Sequence, residues 1–264
     1  MKKIFSYFFV SILVIGLLAA CGTSEEPASE GSGSADDQKT EKKVLTMGTS
    51  ADYAPFEFID TAKGDDIIGI DPEIAKAVAE KLGYEVKIND MDFGGLIQAL
   101  QSGQVDFVMS AMSATDDRRK SVDFSEIYYT SKHMIVSKKD SGIKKVEDLS
   151  GKKVGVQLGS IQEEKANELA EEVDMTVENR NRIPEVIQEI KAGRFDAAII
   201  EDTVAAGYLE NNEDLDGFTI EDADGGYAAA FPKDSELTEE FNKALKEMID
   251  SGEIDAIIKK WFEE

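Results

Sequence analysis

The sequence predicts an α/β protein made of two similar lobes. From about residue 44 onward, short apolar runs alternate with segments of helical periodicity, as expected for βαβ units and a largely parallel sheet. One helix-turn-strand pattern also occurs twice, at 100–109 and at 190–199. In both copies a helix ends at glycine, and aspartate follows three residues later before an apolar strand. Two copies favour two lobes, with a single duplicated sheet as the alternative.

The N-terminus predicts export. Two lysines precede an apolar run at 4–20, which is shorter than the ~20 residues of a comfortable bilayer span. The run ends in Leu-Ala-Ala-Cys, and Cys21 is the only cysteine of the chain. This ending resembles the bacterial lipobox. We therefore expect residues 1–20 to be a signal peptide and Cys21 to carry a lipid that anchors the protein on the extracytoplasmic face of the cell membrane.

Charge and composition narrow the class of the mature protein. Residues 21–43 are rich in Ser, Gly, Glu and Asp without apolar periodicity, which predicts a flexible linker. The net charge of -25 argues against binding to nucleic acid phosphates. With one cysteine, the fold cannot depend on an internal disulfide.

Strands and helices alternate through the first half. Residues 44–47 read as a buried strand, and a helix follows with Asp71 as N-cap and an apolar face that ends near Gly83. A strand at 85–88, a helix that closes near Gly103 and a strand at 105–109 complete this half.

The second half repeats the alternation and adds a helical C-terminus. Strands are predicted at 134–136, 153–156 and 195–200, and helices at 161–172, 184–192, 237–248 and 254–262.

Polar residues follow the repeated strand in each half. Because ligands bind beyond the carboxyl ends of strands in open α/β sheets, Ser110 and Glu201 should face one cleft. Arg118 comes shortly after Ser110, and its planar guanidinium suits a carboxylate. Ser113 adds a hydroxyl, and Thr115 is a candidate N-cap for a helix start that could hold a small anion. The alternative is a surface arginine paired with one of the two preceding aspartates.

An ordered set of segments carries a family resemblance. In order and spacing these segments resemble the polar amino-acid-binding proteins of ABC importers, family 3 of the bacterial extracellular solute-binding proteins: 48–58, 69–71, 96–103, 112–118, 122–129, 148–156 and 193–198. The resemblance implies the type II periplasmic-binding-protein fold, two α/β lobes joined by two crossover strands with a ligand cleft between them. We expect lobe 1 at 44–130 and 227–264, and lobe 2 at 131–226.

The resemblance also implies roles for individual residues. The ligand's α-carboxylate would bind Arg118, aided by Ser110, Ser113 and the backbone near Ser160 and Ile161. A second group would surround the ligand's side chain: Tyr53 and Phe93 as an aromatic sandwich, Gln157 as a polar contact, and Asp52 and Glu57 as candidate acids. The alternative for each of these two acids is that it only caps backbone N–H groups.

The ammonium site departs from the family pattern. The family has an aspartate where this chain has Glu201, which is one methylene longer. Either Glu201 binds the ammonium from further back, or Asp202 replaces it. Acids around aromatic rings favour a ligand with a cationic side chain, so arginine or lysine is the favoured ligand. Glutamine and cystine are the alternative ligands.

Two other functions compete with import. A ligand sensor that docks on a membrane receptor would share the cleft. An enzyme resembling the dehydratases of this fold would need a catalytic set, and His133, the only histidine, reads as a surface or packing residue. We expect a monomeric binding protein that works with an ABC permease, without enzyme activity, metal or cofactor.

Overall fold

The computed structural model describes residues 43–62, 64–223 and 225–263. The predicted signal peptide, Cys21 and nearly all of the linker lie outside these ranges. None of the helices in the described ranges has the length and hydropathy of a membrane span.

The first half contains seven strands and two α-helices within its described residues. They run in the order β1 (Lys43–Thr49), β2 (Asp52–Tyr53), β3 (Glu57–Ile59), β4 (Ile67–Ile68), α1 (Ile70–Lys81), β5 (Tyr84–Asp90), α2 (Leu96–Gln101), β6 (Phe107–Val108) and β7 (Val122–Phe124).

The second half begins after a first connection at 125–131. Its elements are β8 (Lys132–Lys138), β9 (Lys153–Gln157), α3 (Ile161–Glu172), β10 (Thr176–Arg180), α4 (Ile183–Lys191), β11 (Ala197–Glu201), α5 (Asp202–Asn211) and β12 (Leu215–Ala223). After a second connection, the chain ends with β13 (Ala230–Pro232), α6 (Glu236–Ser251) and α7 (Glu253–Glu263).

Two five-stranded sheets share one topology. The first has the strand order β5-β1-β6-β13-β7 and the second the order β10-β9-β11-β8-β12, and β2, β3 and β4 form a small third sheet. In each large sheet three parallel strands are followed by an antiparallel strand, which is the first strand after a connection. Four of the five strands in each large sheet point the same way, so the predicted largely parallel sheet is present in each lobe, with one reversed strand that was not predicted.

The two connections run side by side. The Tyr128 N–H donates to the Tyr227 carbonyl at 2.9 Å, and the Tyr227 N–H donates to the Tyr129 carbonyl at 2.8 Å. Two paired strands of this kind form a narrow bridge between the sheets, where small backbone rotations can change their separation.

The repeated pattern has one structural cause. The Asp106 carboxylate accepts the Thr46 N–H at 2.7 Å, and the Asp196 carboxylate accepts the Lys153 N–H at 2.9 Å. The aspartate thus holds β1 beside β6 in the first sheet and β9 beside β11 in the second. The preceding glycines, at 103 and 193, both have φ of 70° and close the turn after the helix.

Asp71 does not cap α1 as predicted. The helix begins at Ile70, and the N-cap position is Gly69. Asp71 is fully buried, and its carboxylate accepts the Ala111 N–H at 2.8 Å and the Tyr128 hydroxyl at 2.7 Å. The residue therefore links the loop after β6 to the first connection instead of satisfying helix N–H groups.

Gly69 is the sharpest steric constraint on the α1 start. Its φ is 131°, and a Cβ at this position would lie 2.2 Å from the Phe56 carbonyl oxygen. We expect Gly69→Ala to lower the free energy of unfolding by more than ~2 kcal/mol in urea titrations. Gly83 is the matched control, because it also has positive φ but a Cβ there would have no neighbouring atom within 4 Å. Equal losses for both variants would contradict the steric account.

Candidate functional site

A cavity with about 320 Å³ of empty space, a volume that includes open solvent, lies between the two large sheets. The lining residues come from both halves of the chain: Ser50, Tyr53, Glu57, Phe93, Ser110, Ala111, Ser113, Arg118, Gln157, Ser160, Ile161, Gln162 and Tyr227. All of the predicted site residues line it except Asp52 and Glu201.

The ends of strands bring these side chains together. Ser50 follows β1 directly, Ser110 lies two residues beyond β6, and Gln157 is the last residue of β9. The Ser110 hydroxyl accepts the Ser50 N–H at 2.9 Å, which ties the two strand ends of lobe 1 together. The geometry follows the rule that open α/β sheets bind ligands beyond their strand carboxyl ends.

Arg118 is buried beside the cavity, with a relative exposure of 7%. Its Nη1 donates to the Ser113 carbonyl at 2.9 Å, and its Nη2 donates to the Gly159 carbonyl of the other lobe at 3.0 Å. The guanidinium carbon lies 5.4 Å from the centre of the Phe93 ring. Burial lowers the pKa of Arg118, because water no longer stabilises its charge.

Arg118 forms no ion pair with any carboxylate of the described ranges. The alternative of a surface arginine paired with an adjacent aspartate is therefore wrong. In place of the predicted helix start, the structure has a single 3-10 turn at Arg118–Lys120. The Thr115 hydroxyl oxygen accepts the Arg118 N–H at 3.3 Å just before this turn. A desolvated guanidinium of this kind is stabilised strongly by a carboxylate.

The start of α3 faces the same cavity from lobe 2. Ser160 is the N-cap, and its hydroxyl oxygen accepts the Glu163 N–H at 3.1 Å. Ile161 and Gln162 lie in the first turn, where N–H groups lack partners within the helix and the helix dipole favours an anion. Gln162 also lies close to His133, with Nε2 and Nδ1 separated by 3.3 Å.

Glu57 places a buried carboxyl group at the cavity wall. Its Oε1 accepts the Ser110 hydroxyl at 2.9 Å, while its buried Oε2 has no hydrogen-bond partner among the described residues. Burial, followed by the nearby Asp71 charge, raises the pKa of Glu57 well above its usual value. Burial also raises the pKa of Asp71 to about 7. A cation in the cavity would favour the ionised forms of these carboxyl groups.

Glu201 lies outside the lining set, at the end of β11. It is fully buried, and its Oε2 accepts the Val204 N–H at 2.8 Å, which caps α5. Its Oε1 has no hydrogen-bond partner in the described part of the chain. Burial raises the pKa of Glu201 to about 8. The neighbouring Asp202 accepts the Lys132 and Thr203 N–H groups instead.

Asp52 also lies outside the lining set. One carboxylate oxygen accepts the Ser50 hydroxyl at 2.9 Å, and the other accepts the Ile183 N–H of lobe 2 at 2.7 Å. Burial raises the pKa of Asp52 to about 6. Asp52 therefore contacts the opposite lobe rather than the cavity.

Four lining residues were not among the predicted site residues. Ser50 follows the first strand, so the strand-end rule could have found it, and Gln162 shares the first turn of α3 with Ile161. Ala111 and Tyr227 carry no local signal. Tyr227 reaches the cavity only because the second connection pairs with the first, and its ring packs edge-on against Phe56 at 5.1 Å.

The sequence model of the bacterial extracellular solute-binding proteins, family 3, matches residues 45–264 of this chain. The chain belongs to this family. It has the type II periplasmic-binding-protein fold with two lobes, as the sequence predicts, and its connections are the crossover strands of that fold.

Curated relatives span the whole chain. The arginine-binding extracellular protein ArtP of Bacillus subtilis (strain 168) is 56% identical over 265 residues, covering 99% of this chain and 98% of the relative. The lysine/arginine/ornithine-binding periplasmic protein of Escherichia coli (strain K12) is 31% identical over 263 residues, covering 96% of each.

Solved structures agree with this fold. An ancestral arginine-binding protein bound to arginine superposes with a TM-score of 0.78 at 42% identity, covering 84% of this chain and 99% of that one. The substrate-binding protein of an amino acid ABC transporter gives a TM-score of 0.80 at 41% identity, with 84% and 100% covered.

Proposed function

We propose that this solute-binding protein encloses a free amino acid, with arginine the leading ligand, and delivers it to an ABC importer. The supporting observation is the buried Arg118 guanidinium, which lies beside a cavity and has no carboxylate partner among the described residues. The relatives named for arginine point to the same ligand class.

The α-carboxylate would bind between Arg118 and the start of α3. The guanidinium approaches from lobe 1 and the helix N-terminus from lobe 2, so one anion engages both lobes. The hydroxyl group of Ser113 lies in the same lining set and can donate to the carboxylate, whereas the Ser110 hydroxyl already donates to Glu57 and supports the site by orienting that side chain. The ligand then stabilises the closed form of the protein, because only that form bonds it from both lobes.

The cationic ends would bind the two carboxyl groups that retain an unpartnered oxygen. We assign the guanidinium of an arginine side chain to Glu57, between the rings of Tyr53 and Phe93. We assign the α-ammonium to Glu201, which lies outside the lining set but near the lining residue Tyr227, whose pKa is raised by burial and by the Glu201 charge. Two buried acids suit a ligand with two positive groups better than a neutral one. Gln157 supplies a polar contact from lobe 2.

Glutamine is the second candidate ligand. An ancestral arginine-binding protein bound to glutamine has a TM-score of 0.77 and 41% identity to this chain. A protonated Glu57 can hydrogen-bond a neutral amide, so the cavity does not exclude glutamine by charge alone.

We further propose that the protein acts by binding rather than catalysis and works as a monomer. His133 is buried and is not among the cavity-lining residues, so a histidine acid-base role has no geometric support. Lobe 1 would comprise 44–130 and 227–264, and lobe 2 would comprise 131–226. A sensor with the same cleft would differ only in its membrane partner.

Arg118→Ala should weaken binding of L-arginine by more than ~2 kcal/mol, about 30-fold, because the ligand's carboxylate loses its charge partner in a desolvated site. Isothermal titration calorimetry measures this change. Arg119→Ala is the matched control, since Arg119 is exposed and packs on Phe124 outside the cavity. Near-normal affinity in Arg118→Ala would refute the carboxylate assignment.

Glu201→Gln should weaken arginine binding more than Asp202→Asn and should reduce the protons released on binding. Because the pKa of Glu201 is about 8, the carboxyl group holds a proton below that pH, and a neighbouring cation displaces it. Affinity should therefore rise with pH to about 8 and then level off. Calorimetry in buffers of different ionisation enthalpy measures the protons. A larger effect of Asp202→Asn would move the ammonium site.

We also propose that a lipid on Cys21 holds the protein at the membrane. Its support is the lipobox resemblance and the position of the single cysteine. Mass spectrometry of protein extracted from cell membranes should find a diacylglyceryl group on Cys21 as the first residue. Cys21→Ser should yield a chain without lipid that still binds arginine. An unmodified Cys21 in the membrane fraction would contradict the anchor.

A further inference from the structure

The two lobes also meet outside the cavity, through a polar group that we name the clasp. Lobe 1 contributes carboxylates near the ends of its strands, and lobe 2 contributes the turn before α4. The clasp consists of Asp52, Asp90 and Asp92 on one side and Asn181, Arg182 and Ile183 on the other.

Arg182 is the centre of the clasp. Its Nη1 and Nη2 donate to the two carboxylate oxygens of Asp90 at 2.8 and 3.3 Å, and its Nε donates to Asp92 at 2.9 Å. The Asn181 amide donates to the other oxygen of Asp92 at 2.8 Å. A bidentate guanidinium–carboxylate pair is among the stronger polar contacts, and the Arg182 side chain is only 23% exposed.

Asp52 forms an ion pair with Arg182 at 3.7 Å and makes a second contact at the N-terminus of α4. Its carboxylate accepts the N–H of Ile183, the first residue of the helix, at 2.7 Å. Pro184 has no N–H, and the Glu185 N–H donates to the Arg182 carbonyl. The helix therefore takes its first anionic partner from the opposite lobe, where the helix dipole favours a negative charge.

The backbones of the lobes approach each other next to the clasp. A Cβ on Gly159 would lie 3.0 Å from the Gly94 Cα, and one on Gly94 would lie 3.2 Å from the Leu158 carbonyl oxygen. Gly94 is two residues from Asp92, and Gly159 also carries the carbonyl that Arg118 bonds. Larger side chains here would separate the lobes and pull the clasp apart.

We propose that the clasp raises ligand affinity by holding the lobes shut, without contacting the ligand. None of its residues lines the cavity. Its contacts join residues 89 to 131 positions apart on different lobes, so opening the lobes breaks all of them together. A contact made only in the closed form shifts the population toward the form that encloses the ligand. This inference rests on the proposed function, because it assumes a ligand bound by closure.

Titration of L-arginine into the full-length chain in detergent tests the clasp. Arg182→Gln should bind arginine about tenfold more weakly and release it faster, because the closed form loses its ion pairs. Arg180→Gln is the matched control, since Arg180 pairs with Glu189 on its own lobe. It should stay within about twofold of wild type. Equal affinity of Arg182→Gln and wild type, or equal losses in both variants, would overturn the proposal.

Non-additivity separates the clasp from a general loss of structure. Adding Asp90→Asn to Arg182→Gln should cause little further loss, because the Asp90 carboxylate has already lost its partner across the cleft. Fully additive losses would overturn the proposal.

Hydrogen exchange provides a readout that needs no ligand. Asp52→Asn should speed exchange of the Ile183 amide, whose carboxylate acceptor it replaces. If the wild type binds no amino acid, the proposed function is wrong, and the exchange experiment still tests whether the clasp holds the lobes together. Unchanged exchange at Ile183 would show that Asp52 does not hold α4 and would overturn the proposal.

Discussion

A buried guanidinium without a charge partner is the constraint on which the site depends. Arg118 is held by the Ser113 carbonyl of one lobe and the Gly159 carbonyl of the other, and neither carries a full negative charge. Because taking a charge out of water is costly, such a group stabilises any carboxylate that reaches it. The roles that we propose for the other cavity features, including the α3 N-terminus, follow from the position of that carboxylate.

The fold creates this constraint through its connections. In each large sheet the fourth strand is the first one after a connection, so both lobes are covalently tied at a narrow bridge. Tyr128 and Asp71 join that bridge to the loop after β6, where Ser110 and Ala111 line the cavity. Lobe movement and cavity shape are therefore coupled by hydrogen bonds as well as by chain connectivity.

Local sequence signals predicted most of the framework and part of the site. The repeated glycine–aspartate pattern predicted two lobes because Asp106 and Asp196 each fix neighbouring strands. The antiparallel direction of β8 and β13 was not predicted, since it is set by pairing with strands that lie far away along the chain. Tyr227 was missed for the same reason. Asp52 was predicted to lie near the ligand, but its partner is a helix that begins 131 residues later, a contact that spacing along the chain cannot reveal.

A crystal structure of the complex with L-arginine tests the central claim most directly. We predict a closed molecule in which both oxygens of the ligand carboxylate pair with the Arg118 guanidinium, while the ammonium contacts Glu201. A closed complex in which the carboxylate lies elsewhere, or in which Arg118 turns out toward solvent, would contradict the account.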